Sequence, residues 1–247
     1  IQAIGFFFGH GTGNFISRSL GAGRTEEAAR MAMTGFVSAL GSGVLVALAG
    51  LIFLEPLALV LGSTETILPH ACDYLRHILL AAPWMAASLM LNNLLRFQGS
   101  AFYGMVGMTS GAVLTVGLDP LLIYTLGLGV SGAAIATLIS QFVSFCLLLA
   151  GCARGGNIAI RARHFSPKPW HYREIVRGGL PSLCRQGLAA ASAILLHQMA
   201  GAFGDAAIAA MSIVRRVYWF AGSALIGWGQ GFQPVCGFKY GAGLYNR

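Results

Sequence analysis

Asp119 is the residue in this chain best placed to do chemistry. It is the only acid in the hundred residues from Tyr74 to Arg173, and its flanks are apolar. A carboxylate in such a run is costly to bury and is kept where it binds or moves charge. Out of water, its neutral form is favoured, whether protonated or carrying a small cation. Pro120 follows it. A proline lacks the N–H that would bond the carbonyl four residues back, so the oxygen of Val116 is left available to a cation. Reversible binding of a proton or small cation is the chemistry this pattern offers; the alternative is a structural Asp hydrogen-bonded within the bundle.

Other polar residues inside apolar runs say less. Arg185, Arg215 and Arg216 lie deep. Snorkelling or pairing is the plain account of them, and a contact with a substrate or a second bundle the alternative. Gln98 and Gln186 carry amides that would suit a cavity wall. His70, Asp73 and His77 share a helical face by i, i+3, i+7 spacing, near the outer end of their run; an interfacial polar face fits them better than a metal site. Asn92 and Asn93 read as helix-end or interhelical hydrogen bonders. Gly127 to Gly132 spells GxGxxG, but a dinucleotide site needs a preceding strand and an acid about 20 residues on. No Asp or Glu occurs between Asp119 and Glu174. The five cysteines are scattered, with no CxxC, and read as small apolar helix residues. No Ser-His-Asp order and no paired carboxylates within a run suggest catalysis, so the chain is expected not to be an enzyme and to need no cofactor beyond a coupling ion, H⁺ or Na⁺.

The elements that hold Asp119 follow from composition. Hydrophobic residues make up 56% of the chain and charged residues 10%, with mean hydropathy +0.70. Soluble domains carry about 25% charged residues. The net charge of +8 does not indicate nucleic acid, because the basic residues do not interleave with aromatics on one soluble face. Seven apolar segments can span a bilayer, near Ile1–Leu20, Ala28–Leu61, Ile67–Leu95, Phe102–Leu126, Gly132–Cys152, Tyr172–Phe203 and Ala206–Cys236. Open sheets do not survive in lipid, so these are expected to be helices. Gly5, Gly9 and Gly13, at small-xxx-small spacing, suit close helix packing.

Charge sets the orientation. The connections at the ends of segments one, three, five and seven carry Arg18, Arg24, Arg96, Arg154, Arg161, Arg163, Lys168, Arg173, Lys239 and Arg247. Those after segments two, four and six carry Glu65 and Asp205 and no Lys or Arg. Positive loops stay cytoplasmic. The polar stretch Arg154–Trp170 is a solvated boundary, with anionic lipid as an alternative partner.

The chain also repeats itself. Gly9-His10-Gly11 and Gly21-Ala22-Gly23 recur as Gly229-Gln230-Gly231 and Gly241-Ala242-Gly243, every match offset by 220 residues. Six crossings separate the copies, so both point the same way, as in parallel-repeat transporters. The chain opens inside an apolar run without Met and closes in what reads as mid-loop, so it is expected to be a piece of a longer protein.

Several stretches resemble the multidrug and toxic compound extrusion (MATE) family. They are Leu118-Asp119-Pro120-Leu121-Leu122-Ile123, then Gly127, Gly129 and Gly132-Ala133-Ala134-Ile135-Ala136-Thr137; Ile16-Ser17-Arg18 before Gly21; Gly179-Leu180-Pro181-Ser182; and Gly231-Phe232-Gln233-Pro234 leading into Tyr240-Gly241-Ala242-Gly243. The resemblance implies an all-α integral membrane protein of twelve helices in two lobes with parallel six-helix repeats. About seven helices lie in this chain, from late helix 2 to the end of helix 8. Residues 1–153 would then belong to the first lobe, 154–171 to a cytoplasmic linker and 172–247 to the start of the second lobe. It also implies a monomer in the inner, or plasma, membrane of a prokaryote, surrounded by lipid, that exports organic cations, drugs or toxic metabolites in exchange for H⁺ or Na⁺. Relatives build a first-lobe cation site from an Asp on helix 1, an Asn and an Asp four apart on helix 5, and a Thr on helix 6. Asp119 and Thr137 match the last two, and Thr115 stands where relatives carry Asn. Arg185, Arg215 and Arg216 in the cavity would instead suit a lipid or lipid-linked oligosaccharide flippase of the same superfamily. A passive channel would need a pore-lining ring, which two lobes do not supply.

Overall fold

A computed structural model describes residues 1–61, 68–125, 127, 129–155, 158, 160, 162–201 and 205–244. Glu65, Leu128, Arg161, Arg247 and the side chains of His70 and Asp205 lie outside that description. The helices are α1 (Gln2–Gly21), α2 (Thr25–Ile52), α3 (Leu54–Val60), α4 (Leu68–Phe97), α5 (Ala101–Pro120), α6 (Gly129–Gly155), α7 (Pro169–Gly201) and α8 (Asp205–Gly241). A π-helical turn, Leu121–Thr125, extends α5 beyond Pro120. There is no strand among the described residues. All seven expected segments are helical. The second is divided: α2 ends at Ile52, Phe53 leaves helical geometry with φ −108° and ψ 39°, and the short α3 follows.

Among the described residues, four stretches are long and apolar enough to cross a membrane: α2, α4 from Ala71, α5 with its π turn, and α6 to Arg154. Helices α1, α7 and α8 carry polar residues within their spans.

Helix α4 is the centre of the larger bundle. Met90, Leu91, Leu94 and Leu95 are fully buried, with α1, α2, α5 and α6 packed around them. Close approach of α1 depends on its glycine stripe. Gly5, Gly9 and Gly13 meet Leu89, Asn93 and Phe97, so a step of four on one helix matches a step of four on the other. A Cβ on Gly9 would sit 2.6 Å from the Asn93 amide. Helix α7 packs chiefly on α1, and α8 on α1 with lighter contacts to α7 and α4. Among the described residues, α5 and α6 touch neither α7 nor α8.

The described part of the segment between α6 and α7 touches the first bundle. Helix α6 continues to Gly155 and α7 begins at Pro169. Between them, Ile158 is buried, and the backbone of Ser166 bonds Thr34 Oγ1 on α2 at 3.2 and 3.4 Å. The side chains of Arg163, Pro167 and Lys168 stay exposed.

The repeated Gly-Ala-Gly segments are two copies of one helix ending. Gly23 and Gly243 have φ of 76° and 74°, a left-handed conformation that favours glycine. Arg24 N–H bonds Ser19 O at 2.8 Å and Leu244 N–H bonds Lys239 O at 3.0 Å; Gly23 N–H bonds Leu20 O and Gly243 N–H bonds Tyr240 O. This is the Schellman cap, which satisfies the last carbonyls of a helix.

These two ends also cross each other. A Cβ on Gly21 would overlap the carbonyl of Phe238, and a Cβ on Gly241 would overlap the carbonyl of Arg18. Phe238 is the repeat partner of Arg18, so the contacts are reciprocal. Gly237, the repeat partner of Ser17, sits directly against Ser17. Ser17 Oγ donates to the carbonyl of Pro234 at 2.8 Å. Reciprocal contacts are the mark of a two-fold arrangement. Contacts of this kind between repeat-equivalent residues are what parallel repeats produce where they meet.

Candidate functional site: a cavity between α1, α7 and α8

A cavity of about 1010 Å³ opens between α1, α7 and α8. His10, Asn14 and Arg18 face it from α1; Glu174, Arg177, Ser182 and Arg185 from α7; Gln230, Gln233 and Tyr240 from α8. The three long helices outside the four apolar stretches, α1, α7 and α8, are the three that wall this space, and part of their polar content faces it. The volume is that of a site for a drug-sized ligand.

Its inner wall is a hydrogen-bonded network. His10 is 6% and Ser182 9% exposed, and His10 Nδ1 meets Ser182 Oγ at 2.9 Å. The other ring nitrogen lies 3.4 Å from Arg96 Nη2. Arg96 also donates to Oε1 of Gln230 and Oδ1 of Asn93. Asn93 Nδ2 donates to Leu89 O within its own helix at 2.7 Å. The rings of Phe6 and Phe97 hold the imidazole, the first stacked at 5.4 Å and the second edge-on at 6.2 Å. Arg96 thus joins the central residues of both GxG copies, His10 from the first and Gln230 from the second. Nearer the basic end, Arg18 Nη2 pairs with Glu174 Oε2 at 3.3 Å across the α1–α7 contact. Arg18 is 43% exposed there, so the bond is worth little by itself.

The sequence-selected residues fall in different places. Asp119 lies on α5, away from this cavity. Its Oδ1 is buried and accepts no hydrogen bond among the described residues. Thr115 Oγ1 donates to Gly111 O and Thr137 Oγ1 to Ala133 O, each 3.0 Å away in its own helix. No hydrogen bond joins Asp119 to either threonine in the described structure; α5 and α6 do pack side by side. Of the residues considered for cavity lining, Arg185 is on the wall; Gln98, Gln186, Arg215 and Arg216 are not among those that face it. Gln98 is buried in the turn after α4 instead. Asn92 bridges α4 to the Gly104 carbonyl of α5 at 3.1 Å, and His77 Nδ1 meets the Asp73 carbonyl of its own helix at 2.8 Å. No His, Cys, Asp and Glu cluster able to hold a metal is found among the described residues.

Sequence reasoning missed His10, Arg96, Ser182 and Gln230. Arg96 reads as a loop charge, yet it sits in the last turn of α4 and turns inward. The signal for two of the others was present: His10 and Gln230 hold the same place between paired glycines.

Comparisons with known proteins agree with this architecture. The chain is 27% identical over 241 residues to the multidrug export protein MepA of Staphylococcus haemolyticus, and 26% to that of Staphylococcus aureus strain MRSA252. Each alignment covers 97% of this chain and 53% of the relative, so the chain spans about half the length of the curated relatives it matches. A MOP superfamily transporter from Pyrococcus furiosus superposes with a TM-score of 0.88 at 30% identity, over 97% of this chain and 54% of that one. A structure of a multidrug resistance MATE family transporter in an outward-facing conformation gives the same TM-score, identity and coverage. A model of the MatE family matches residues 1–121 and 181–247. With its glycine-capped parallel repeats and a cavity walled by the helices that carry them, the chain belongs to the MatE family of multi-spanning membrane transporters.

Proposed function

We propose that the complete protein is a cation-coupled antiporter, driven by H⁺ or Na⁺, that exports drugs or toxic metabolites by alternating access across the plasma membrane of a prokaryote. The observation that carries the coupling is the buried, unbonded Oδ1 of Asp119. A buried acceptor without a partner is costly, and a proton or a small cation would satisfy it. Residues 1–153 act as one lobe, the docked linker as a tether, and residues from 172 onward as the beginning of a second lobe. The second lobe rests on the first mainly through α1, so rocking about that contact leaves both cores intact. The likeness to an outward-facing relative supports reading this arrangement as closed at the basic, cytoplasmic end.

The test uses the complete protein in liposomes that contain either ethidium or a fluorescent organic anion. An imposed proton or sodium gradient is expected to accelerate dye movement several-fold for one of the two ions. Equal rates with and without both gradients would remove the coupling reading. The flippase alternative places three arginines in the cavity; of those three, only Arg185 faces it.

Orientation has its own measurement. In a background lacking the native cysteines, a cysteine in place of Glu65 should react with an impermeant thiol reagent added outside cells. A cysteine in place of the exposed Lys168 should not. Reversed labelling would invert the topology.

A further inference from the structure

Among the described residues, four charged side chains face the cavity, three of them basic: Arg18, Arg177, Arg185 and Glu174. Glu174 is engaged by Arg18 at 3.3 Å. Arg177 and Arg185 pair with no carboxylate among the described residues. Among the described residues, Arg96, behind the wall, bonds Gln230, Asn93 and His10, none of them a carboxylate. Asp119 lies on α5, which touches neither α7 nor α8.

The neutral groups on the wall are arranged to donate. The Oε1 of Gln230 is occupied by Arg96, which leaves its NH₂ to donate. Ser182 carries a hydroxyl beside His10 at 2.9 Å. Arg185 follows one turn after Ser182 on α7 and faces the same space. Its planar fork suits a carboxylate or phosphate oxygen pair. Positive charge at membrane depth without a counter-charge is costly, and a ligand that brings a negative group removes that cost.

We propose that the cavity recognises its substrate through an anionic group, held by Arg185 with Ser182 and Gln230, in front of the positive charge of Arg96. This rests on the reading of the cavity as the transport path. It narrows the expected organic cations to compounds that also carry a carboxylate or phosphate. The occupant is a soluble, drug-sized solute, because the cavity volume of about 1010 Å³ matches such a ligand.

The test compares dansylglycine with dansylglycinamide, which differ only in the carboxylate, on the purified complete protein in phosphatidylcholine nanodiscs. The acid is expected to bind about tenfold more tightly than the amide, the gain of one charge-assisted hydrogen-bonding contact. Arg185→Gln should bring the two to equal affinity, and Arg185→Lys, which keeps the charge and loses the fork, should keep only part of the difference. Equal affinity in the unaltered protein would overturn the proposal whatever the variants do. Displacement of dansylglycine by phosphatidylglycerol, but not by added phosphatidylcholine, would assign the site to a lipid headgroup and overturn the solute reading. Gradient-driven ethidium movement without a preference for the acid would leave the antiporter standing and this site refuted. A preference for the acid without gradient-driven transport of either dye would do the reverse.

Discussion

Asp119→Asn is expected to reduce gradient-driven efflux by the complete protein to the rate of empty liposomes, with insertion and folding retained. Asn preserves size and can still hydrogen-bond, but it neither binds nor releases a proton. The structure explains why folding should survive: Oδ1 of Asp119 accepts no bond, so the change breaks no described contact. Coupling requires an ion with different affinities for the two lobe arrangements, and a near-complete switch needs a ratio of about 10⁴. A carboxylate that is dry in one arrangement and wet in the other can supply much of that ratio. Thr115→Ala and Thr137→Ala should weaken coupling less. Each removes one neutral oxygen, and each hydroxyl already donates to a carbonyl of its own helix at 3.0 Å. Normal gradient-driven efflux by Asp119→Asn vesicles would make Asp119 structural and move the coupling site elsewhere.

The helix crossing should be nearly as sensitive. Gly21→Ala places a methyl group on the Phe238 carbonyl, and Gly241→Ala places one on the Arg18 carbonyl. Both obstacles are backbone, so no rotamer change relieves them. Overpacking of this kind costs about 1–3 kcal/mol, enough to lower the population of the closed basic end by about tenfold or more. The core around α4 is untouched, so expression should remain normal. The readout is a disulfide between cysteines replacing Ser17 and Gly237. The Cβ of Ser17 lies 3.0 Å from the position of a Cβ on Gly237, within reach of a disulfide after a small adjustment. Cross-linking and transport should both slow about tenfold in either glycine variant. Cross-linking at the parental rate would mean that the crossing tolerates the extra methyl groups and does not limit closure.

Much of this protein could be read along the chain, because its constraints are local or periodic. Apolar runs of spanning length must satisfy their own backbone groups in lipid, and this makes them helices. Gly23 and Gly243 could be matched by spacing, because a helix cap is decided within six residues. The parallel direction of the repeats followed from counting crossings. Asp119 stood out because an isolated acid in an apolar run is rare for a physical reason. The break at Phe53 has a local signal in Pro56, which cannot donate to the Ile52 carbonyl and is tolerated in the first turn of a new helix. The docking of Ser166 on Thr34 depends on how the linker packs, and no local pattern announces it.

The cavity wall was decided by tertiary structure alone. Arg96 reads as one more basic residue near a loop, and its sequence neighbours do not show whether it points to water or inward. It is fixed by Gln230, 134 positions away, and by His10, 86 positions away. Those partners reach it only because α1 packs on α4 through a glycine stripe and α8 crosses α1 at Ser17 and Gly237. Sequence determined that polar groups would occupy these spans, since their cost in lipid implies a use. Which of them meet was set by the crossing of helices far apart in the chain, because hydrogen-bond partners are chosen by distance in space.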